Sequence, residues 1–465
     1  MHNGANQRQN SDDQPRDGPV CSSVEVSVME TERRDWLIQF FINETTRKRM
    51  IEFEKTKPLP ITKEMVWEAY LQVRRKGKSA GVDELSMSEY DLQRHRHLYK
   101  VWNRLASGSY FPPPVLQVEI PKKNGSTRKL GIPTISDRVA QTVIRNQLEE
   151  RLEKIFHPQS YGYRPKRSAH QALAQVRNNC RKYNWVIDLD IKNFFDEIDH
   201  DKLLKALSRH VEEKWVLRYI ERWLKAPLQT QKGAVVERVK GTPQGGVISP
   251  LLANLFLHYT LDVWFGKEGF AVEFVRYADD IIIHCPTQRQ AEHVLQKTKA
   301  RAEDCGLTLH PEKTKIVYCK DYRRQGKYKK VKFDFLGYSF QPRTTKSKKT
   351  GKMFLGFDCA ISIQSRSRIF EQIRKMKIPR MQCNSIVGIA YHLNPKLRGW
   401  IRYFGKYRGY SLSKVFYILR IKLVRWARYR YKRYRNNLTR AYQWLDRVRE
   451  QYPSLFYHWH VGYSS

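Results

Sequence analysis

The chain has 465 residues, 41% of them hydrophobic, which suits roughly two to four folded domains and excludes a disordered protein. Eighty-six Lys and Arg stand against 46 Asp and Glu, a formal net charge of +40, and self-repulsion on that scale points to a polyanionic partner. Aromatics at 12% favour nucleic acid, and no apolar run approaches the roughly 20 residues that span a bilayer, so no membrane partner is expected.

Residues 1–29 are polar, carry acids and read as a disordered tail without a signal or transit pattern, which suggests a cytoplasmic protein. The seven cysteines are scattered and none stands at C-x-x-C spacing. Reduced thiols are the simplest reading, rather than a zinc ribbon or a disulfide framework. Order begins near Glu30, with helical spacing at Trp36, Phe40 and Ile42, and a capped helix follows Thr62. Next come the glycine-bearing loop GKSAGVDELS, the prolines of YFPPPV and a strand pair turning at Asn124–Gly125. DRVAQTVIRNQLEERLEKIF is helical, with Val139, Val143, Leu148 and Leu152 on or near one face. From 185 to 340 strands and helices alternate; a basic, polar stretch at 341–353 reads as a junction, and the chain beyond 360 is helical, basic and aromatic.

Two aspartates stand side by side in RYADDIIIHC, between two β-forming runs that place Asp279 and Asp280 at a hairpin tip. Alone, the pair reads more readily as ordinary turn chemistry. Upstream, the β-forming run WVIDLDI carries Asp188 and Asp190 on one face, because strand side chains alternate. If that strand pairs with the hairpin, Asp190 meets Asp279 and Asp280, and three packed carboxylates repel unless a cation lies among them. Hard oxygen ligands beside phosphates call for Mg²⁺, and two such ions about 3.5–4 Å apart suit in-line displacement at phosphorus. Asp188, Asp196 and Asp199 read instead as cap or turn acids. Between the acidic segments lies KGTPQGGVISPLLANLFLHYTLD. Its Gly241, Gly245 and Gly246 permit close backbone approach. Ser249 reads as an N-cap and Pro250 as a first-turn residue, with Leu252, Leu255, Phe256 and Tyr259 at helical spacing.

DIKNFFDEIDH, KGTPQGG and RYADD, in that order, resemble the palm signatures of a reverse transcriptase, the middle one in its group II intron form. KLGIPTISDRVAQ at 129–141, SYGYRPKRSAHQAL at 160–173, GLTLHPEKTKIV at 306–317 and FDFLGYSFQPR at 333–343 are similar to further motifs of that family. The resemblance implies that Asp190, Asp279 and Asp280 are catalytic and bind two Mg²⁺ ions. It implies nucleotide contacts from Arg128, Lys129, Gln244 and Gly245, an aromatic gate against the 2′-hydroxyl at Phe195, and Lys313 near the leaving pyrophosphate. Lys122 and Lys123 read as a solvated turn. Arg164, Lys166 and Arg167 would contact RNA.

LNPKLRGWIRYF and the acid-free run after it resemble the maturase, or X, domain of group II intron proteins. There Phe416, Leu419, Leu423 and Trp426 form an inward stripe, while Arg398, Trp400, Arg402, Arg425, Arg428, Lys432 and Arg435 are placed to meet RNA. A face so purely cationic, interleaved with rings, suits phosphates and stacking better than plain solvation. His458 and His460 lack cysteines at ligand spacing, so no zinc-linked endonuclease is expected.

The fold expected is α+β: a right-hand polymerase with fingers and an antiparallel palm sheet, followed by an all-α thumb or X domain. Its parts would be an N-terminal extension and fingers at 30–184, the palm at 185–340, a linker at 341–357, the X domain at 358–437 and a basic-aromatic extension at 438–465, the reverse transcriptase domain covering about 60–340. The activity expected is RNA-directed DNA polymerisation on intron RNA, with help in its splicing. Partners would be group II intron RNA, a DNA target and primer, and dNTPs. An RNA-binding splicing cofactor without polymerase activity, or a reverse transcriptase serving host defence, are the alternatives.

Overall fold

A computed structural model describes residues 57–76, 79–121, 127–346 and 350–463. The expectations for the tail, for the helix at Trp36–Ile42, for Lys122 and Lys123 and for the Asn124–Gly125 turn fall outside those residues. The chain forms two compact units, one of Met1–Val118, Ile132–Ile144 and Ala226–Val235, the other of the remainder. The first unit is thus assembled from three separate stretches of the chain.

In the first unit the helix Lys63–Lys76 begins after Thr62, whose hydroxyl accepts the Met65 N–H at 3.3 Å. Val66, Tyr70 and Val73 lie on its buried side, one turn apart. Ser86 and Glu89 close a reciprocal capping box at the start of Met87–Leu92. The helix Arg94–Ala106 buries Leu98, Val101, Trp102 and Leu105, and the Trp102 indole N–H reaches the Ile61 carbonyl at 3.0 Å. Val115–Gln117 pair in parallel with Leu228–Thr230.

The second unit is built around an antiparallel sheet in the order Glu273–Tyr277, Asp280–Cys285, Trp185–Asp190, Lys315–Tyr318. Ile281, Ile282 and Ile283 are all buried, so this strand is covered on both faces, which is why it reads as an unbroken apolar run. Leu173 and Val176 of the helix Ala169–Lys182 join Val186, Val275, Ile282 and Val317 in one core.

Where a linker is expected, at 341–357, the chain instead forms a long hairpin. Tyr338–Lys346 runs antiparallel to Met353–Ile361, in register from Tyr338↔Ile361 to Lys346↔Met353. Residues at the base are buried and those toward Lys346 are exposed. The basic, polar composition that suggested a junction belongs to this exposed end.

Helices Ile363–Lys375, Ile386–Phe404, Ser413–Arg430, Leu438–Gln451 and Tyr457–His460 follow. Phe416, Leu419, Leu423 and Trp426 form the inward stripe, each no more than 1% exposed. Ala441, Leu445 and Phe456 share their core, so residues 438–463 pack into the helical part. His458 is buried and stacks on Phe416 at 5.0 Å. Among the described residues no helix is long and apolar enough to cross a membrane.

Candidate active site

Strand alternation places Asp188 and Asp190 on one face, and antiparallel pairing sets Asp190 directly opposite Asp280. Tyr277 pairs with Asp280 across the hairpin, leaving Ala278 and Asp279 as a two-residue loop. Ala278 has φ 59°, the left-handed conformation that such tight hairpin turns require. The three aspartates expected to meet therefore do meet, at one end of the sheet.

Their electrostatics are those of a crowded anionic site. Desolvation raises the Asp280 carboxyl to about 7, and the charges of Asp279, Asp190 and Asp188 add to the rise. Asp279 is raised as well, chiefly by burial, with Arg128 and Lys313 acting against the shift. Asp190 accepts a 2.7 Å bond from the Lys313 ammonium, and its carbonyl accepts the His310 N–H at 2.8 Å. Among the described residues no three carboxylate, imidazole or thiol side chains close around a point where an ion would sit. The donor set nonetheless suits a divalent cation: it offers only carboxylate oxygen, it is self-repelling, and it already draws an ammonium as counter-cation.

Of the acids read as caps or turns, only Asp199 caps a helix, accepting the Lys202 N–H at 2.9 Å. Asp188 lies inside the strand, 3.3 Å from the Lys315 ammonium, and burial pushes it up to about 6. Asp196, in the short helix Phe194–Glu197, lies 3.4 Å from the Gln244 amide nitrogen.

That contact ties together the expected nucleotide-side residues. Arg128 Nε donates to the Gln244 side-chain oxygen at 2.6 Å, and the Gly131 N–H donates to the Gln244 carbonyl at 2.8 Å. Gly245 sits at φ 125°, where a Cβ would stand 2.3 Å from the Gly131 carbonyl oxygen, so only glycine fits. Phe195 is buried edge-on against Phe194 at 5.4 Å, and its carbonyl anchors the Thr242 N–H at 2.7 Å. Lys129 is exposed next to Arg128 on the strand Thr127–Ile132, so alternation turns it away from the Arg128–Gln244 contact. Ser249 is not an N-cap: it is the first residue of the helix Ser249–Leu257, and its hydroxyl accepts from Thr242 at 2.6 Å. That helix is buried all round, without the expected stripe, and Tyr259 falls in the π-turn His258–Asp262 that follows.

Arg164 does not face RNA. It is 8% exposed, forks onto the Glu153 carboxylate at 2.7–3.1 Å and donates to the His157 and Ser160 carbonyls at 2.7 Å each. Lys166 is exposed, and Arg167 lies half-buried over the Tyr161 ring. Arg398 lies exposed over the Tyr457 ring, Arg402 is exposed, and Trp400 packs half-buried on the helical core. Arg425, Lys432 and Arg435 are exposed, whereas Arg428 spends its guanidinium on the Arg435 carbonyl at 2.8–3.1 Å. The helix ends at Arg430, so Lys432 and Arg435 lie beyond it.

Sequence reading passed over a group beneath the hairpin. Arg276 is 0% exposed and pairs with the fully buried Asp262 through bonds of 2.7 and 2.5 Å. The signal was available: each is a lone charge inside an apolar run, which burial forbids without a partner.

Residues 120–340 match the family described as "Reverse transcriptase (RNA-dependent DNA polymerase)", and residues 366–444 match "Group II intron, maturase-specific domain". Protein YkfC of Escherichia coli (strain K12) is 32% identical over 278 residues, covering 52% of this chain and 73% of that protein. The group II intron-encoded protein LtrA of Lactococcus lactis subsp. cremoris is 38% identical over 160 residues, 34% of this chain and 26% of LtrA. The putative COX1/OXI3 intron 1 protein of Saccharomyces cerevisiae is 29% identical over 243 residues, 52% of this chain and 28% of that protein. Both intron proteins thus align over less than a third of their length.

Proposed function

The chain belongs to the group II intron-encoded reverse transcriptases that carry a maturase domain, and from that membership we propose that Asp190, Asp279 and Asp280 form its polymerisation centre. The observation that carries this reading is the register that sets Asp190 opposite Asp280, with Asp279 at the adjoining turn. A reverse transcriptase domain implies a divalent metal. Two Mg²⁺ ions are our assignment, since the ligands are carboxylate oxygens and the substrates would be phosphates. When bound, the ions supply Lewis-acid activation and neutralise the charge that develops at phosphorus.

The chain's own residues do the rest. The primer 3′-hydroxyl gives up its proton to solvent as it attacks the α-phosphorus of a dNTP, the bond to the bridging oxygen breaks, and pyrophosphate leaves. Arg128, pinned by Gln244, offers a fixed guanidinium fork to the triphosphate. Lys313, already a counter-ion at the site, suits the charge that gathers on pyrophosphate. Phe195 is rigidly packed and therefore suited to exclude a ribose 2′-hydroxyl. The template is RNA and the primer DNA, and the helical part grips the intron RNA to assist its splicing through exposed Arg398, Arg402, Arg425, Lys432 and Arg435.

Asp279→Ala tests the assignment. We expect primer extension on an RNA template to disappear while RNA affinity is retained. Synthesis persisting in that variant refutes the site. Loss of RNA binding together with synthesis marks Asp279 as a folding residue instead.

A further inference from the structure

Beneath the hairpin lies a buried polar assembly that touches no solvent and serves no core of its own. Arg276 grips Asp262 with Nε and Nη2, while its Nη1 donates to Asn254 Oδ1 at 2.8 Å and to the Ala278 carbonyl at 3.2 Å. Asn254 in turn donates to the Gly162 carbonyl at 2.7 Å. The backbone of Arg276 is held too: its N–H donates to the Gln159 carbonyl at 2.9 Å, and its own carbonyl accepts the Tyr161 N–H at 2.8 Å. We propose that Asp262, Arg276, Asn254 and Gly162 are positioning residues, a clamp that fixes the turn carrying Asp279 and Asp280.

Three observations support this. First, Ala278 is held at φ 59°, a conformation that an alanine keeps only where its surroundings over-determine it. The surroundings do so from two sides. The guanidinium holds the Ala278 carbonyl, and the Gly162 backbone lies so close that a Cβ there would stand 2.3 Å from the Ala278 nitrogen. Second, Asp262, the partner of Arg276, is the last residue of a π-turn, His258–Asp262, and so sits at a different angular position from the one an unbroken α-helix would give it. Such turns recur at functional sites. Third, a fully buried ion pair is a poor source of stability, since well-packed apolar residues often serve equally well. Its use is geometric: a planar fork fixes distance and direction at once.

The clamp rests on the reading of Asp279 and Asp280 as metal ligands, and the experiment keeps the two apart. Asn254→Ala and Gly162→Ala leave the Arg276–Asp262 pair in place, so they avoid stranding a buried charge. In the full chain, each variant is compared with wild type for single-nucleotide incorporation against Mg²⁺ concentration, RNA affinity, and hydrogen exchange of the peptide that spans residues 277–281. A misplacement on the ångström scale costs about 10- to 100-fold in rate. We expect kcat to fall by that amount, half-saturation to need more Mg²⁺, and exchange at the turn to accelerate, with RNA affinity unchanged. Arg276→Lys, which keeps the charge and loses the fork, should reproduce the loss if it folds. Wild-type kcat and wild-type exchange in both alanine variants overturn the clamp. So does a fall in kcat matched by an equal fall in RNA affinity, with the turn exchanging as before. If the wild type shows no Mg²⁺-dependent incorporation, the metal reading fails, while turn exchange still decides whether the clamp exists.

Discussion

Asp280 faces Asp190 across the sheet, and its carboxyl rises to about 7, chiefly through desolvation and then through neighbouring charge. Its ordinary value is 3.8. Between those two values the folded chain keeps a proton that the unfolded chain has lost. Stability from this group is therefore greatest at low pH and declines as pH rises toward 7. Asp280→Asn should then raise the thermal midpoint of the metal-free protein at pH 8 and have little effect at pH 4. Calorimetry in a chelator measures this, and an equal effect at both pH values contradicts it. At this scale the sequence was informative where charge met pattern: two acids on one strand face and two at a hairpin tip locate the site. It was misleading where a basic motif hid its direction. Nothing in YRPKR says that Arg164 turns inward to Glu153 while Lys166 stays out.

At the scale of elements, the loop that carries Gln244 and the strand that carries Arg128 are latched by a backbone contact that tolerates no side chain at Gly245. Gly245→Ala must push the loop off Gly131 and release Arg128. Losing a charge-assisted bond of this kind costs about 1.5–3 kcal/mol, so we predict a rise of about tenfold or more in the dNTP KM, with RNA affinity unchanged. Steady-state incorporation measures it, and an unaltered KM refutes the latch. The strands that carry Asp190 and Asp280 were legible because β-branched runs bearing acids are uncommon in a buried sheet. The long hairpin at 338–361 was not, because its outer half is solvated and composed like a loop. The inward stripe of Ser413–Arg430 was legible from period alone, since Phe416, Leu419, Leu423 and Trp426 are apolar at helical spacing. The π-turn at His258–Asp262 breaks that same periodicity, so the expected stripe at Tyr259 failed there.

For the whole molecule, a net charge of +40 implies RNA binding that weakens steeply with salt as counterions are released. Arg425→Ala, at an exposed cation, should lower the slope of log affinity against log salt by about one unit. Arg164→Ala should leave that slope alone and lower the thermal midpoint, because its guanidinium is spent inside the fold. Equal slopes in wild type and Arg425→Ala would remove that residue from the RNA surface. The fold class followed from motif order, but the compact units did not, since no shift in composition marks a unit gathered from three separate stretches. The central claim is that Asp190, Asp279 and Asp280 act as one metal-dependent centre. Its most direct test titrates Mg²⁺ into single-nucleotide incorporation on an RNA template, wild type beside Asp279→Ala. Incorporation that rises with Mg²⁺ in the wild type and stays absent in the variant at every concentration is the predicted result; incorporation that ignores either the metal or Asp279 contradicts the account.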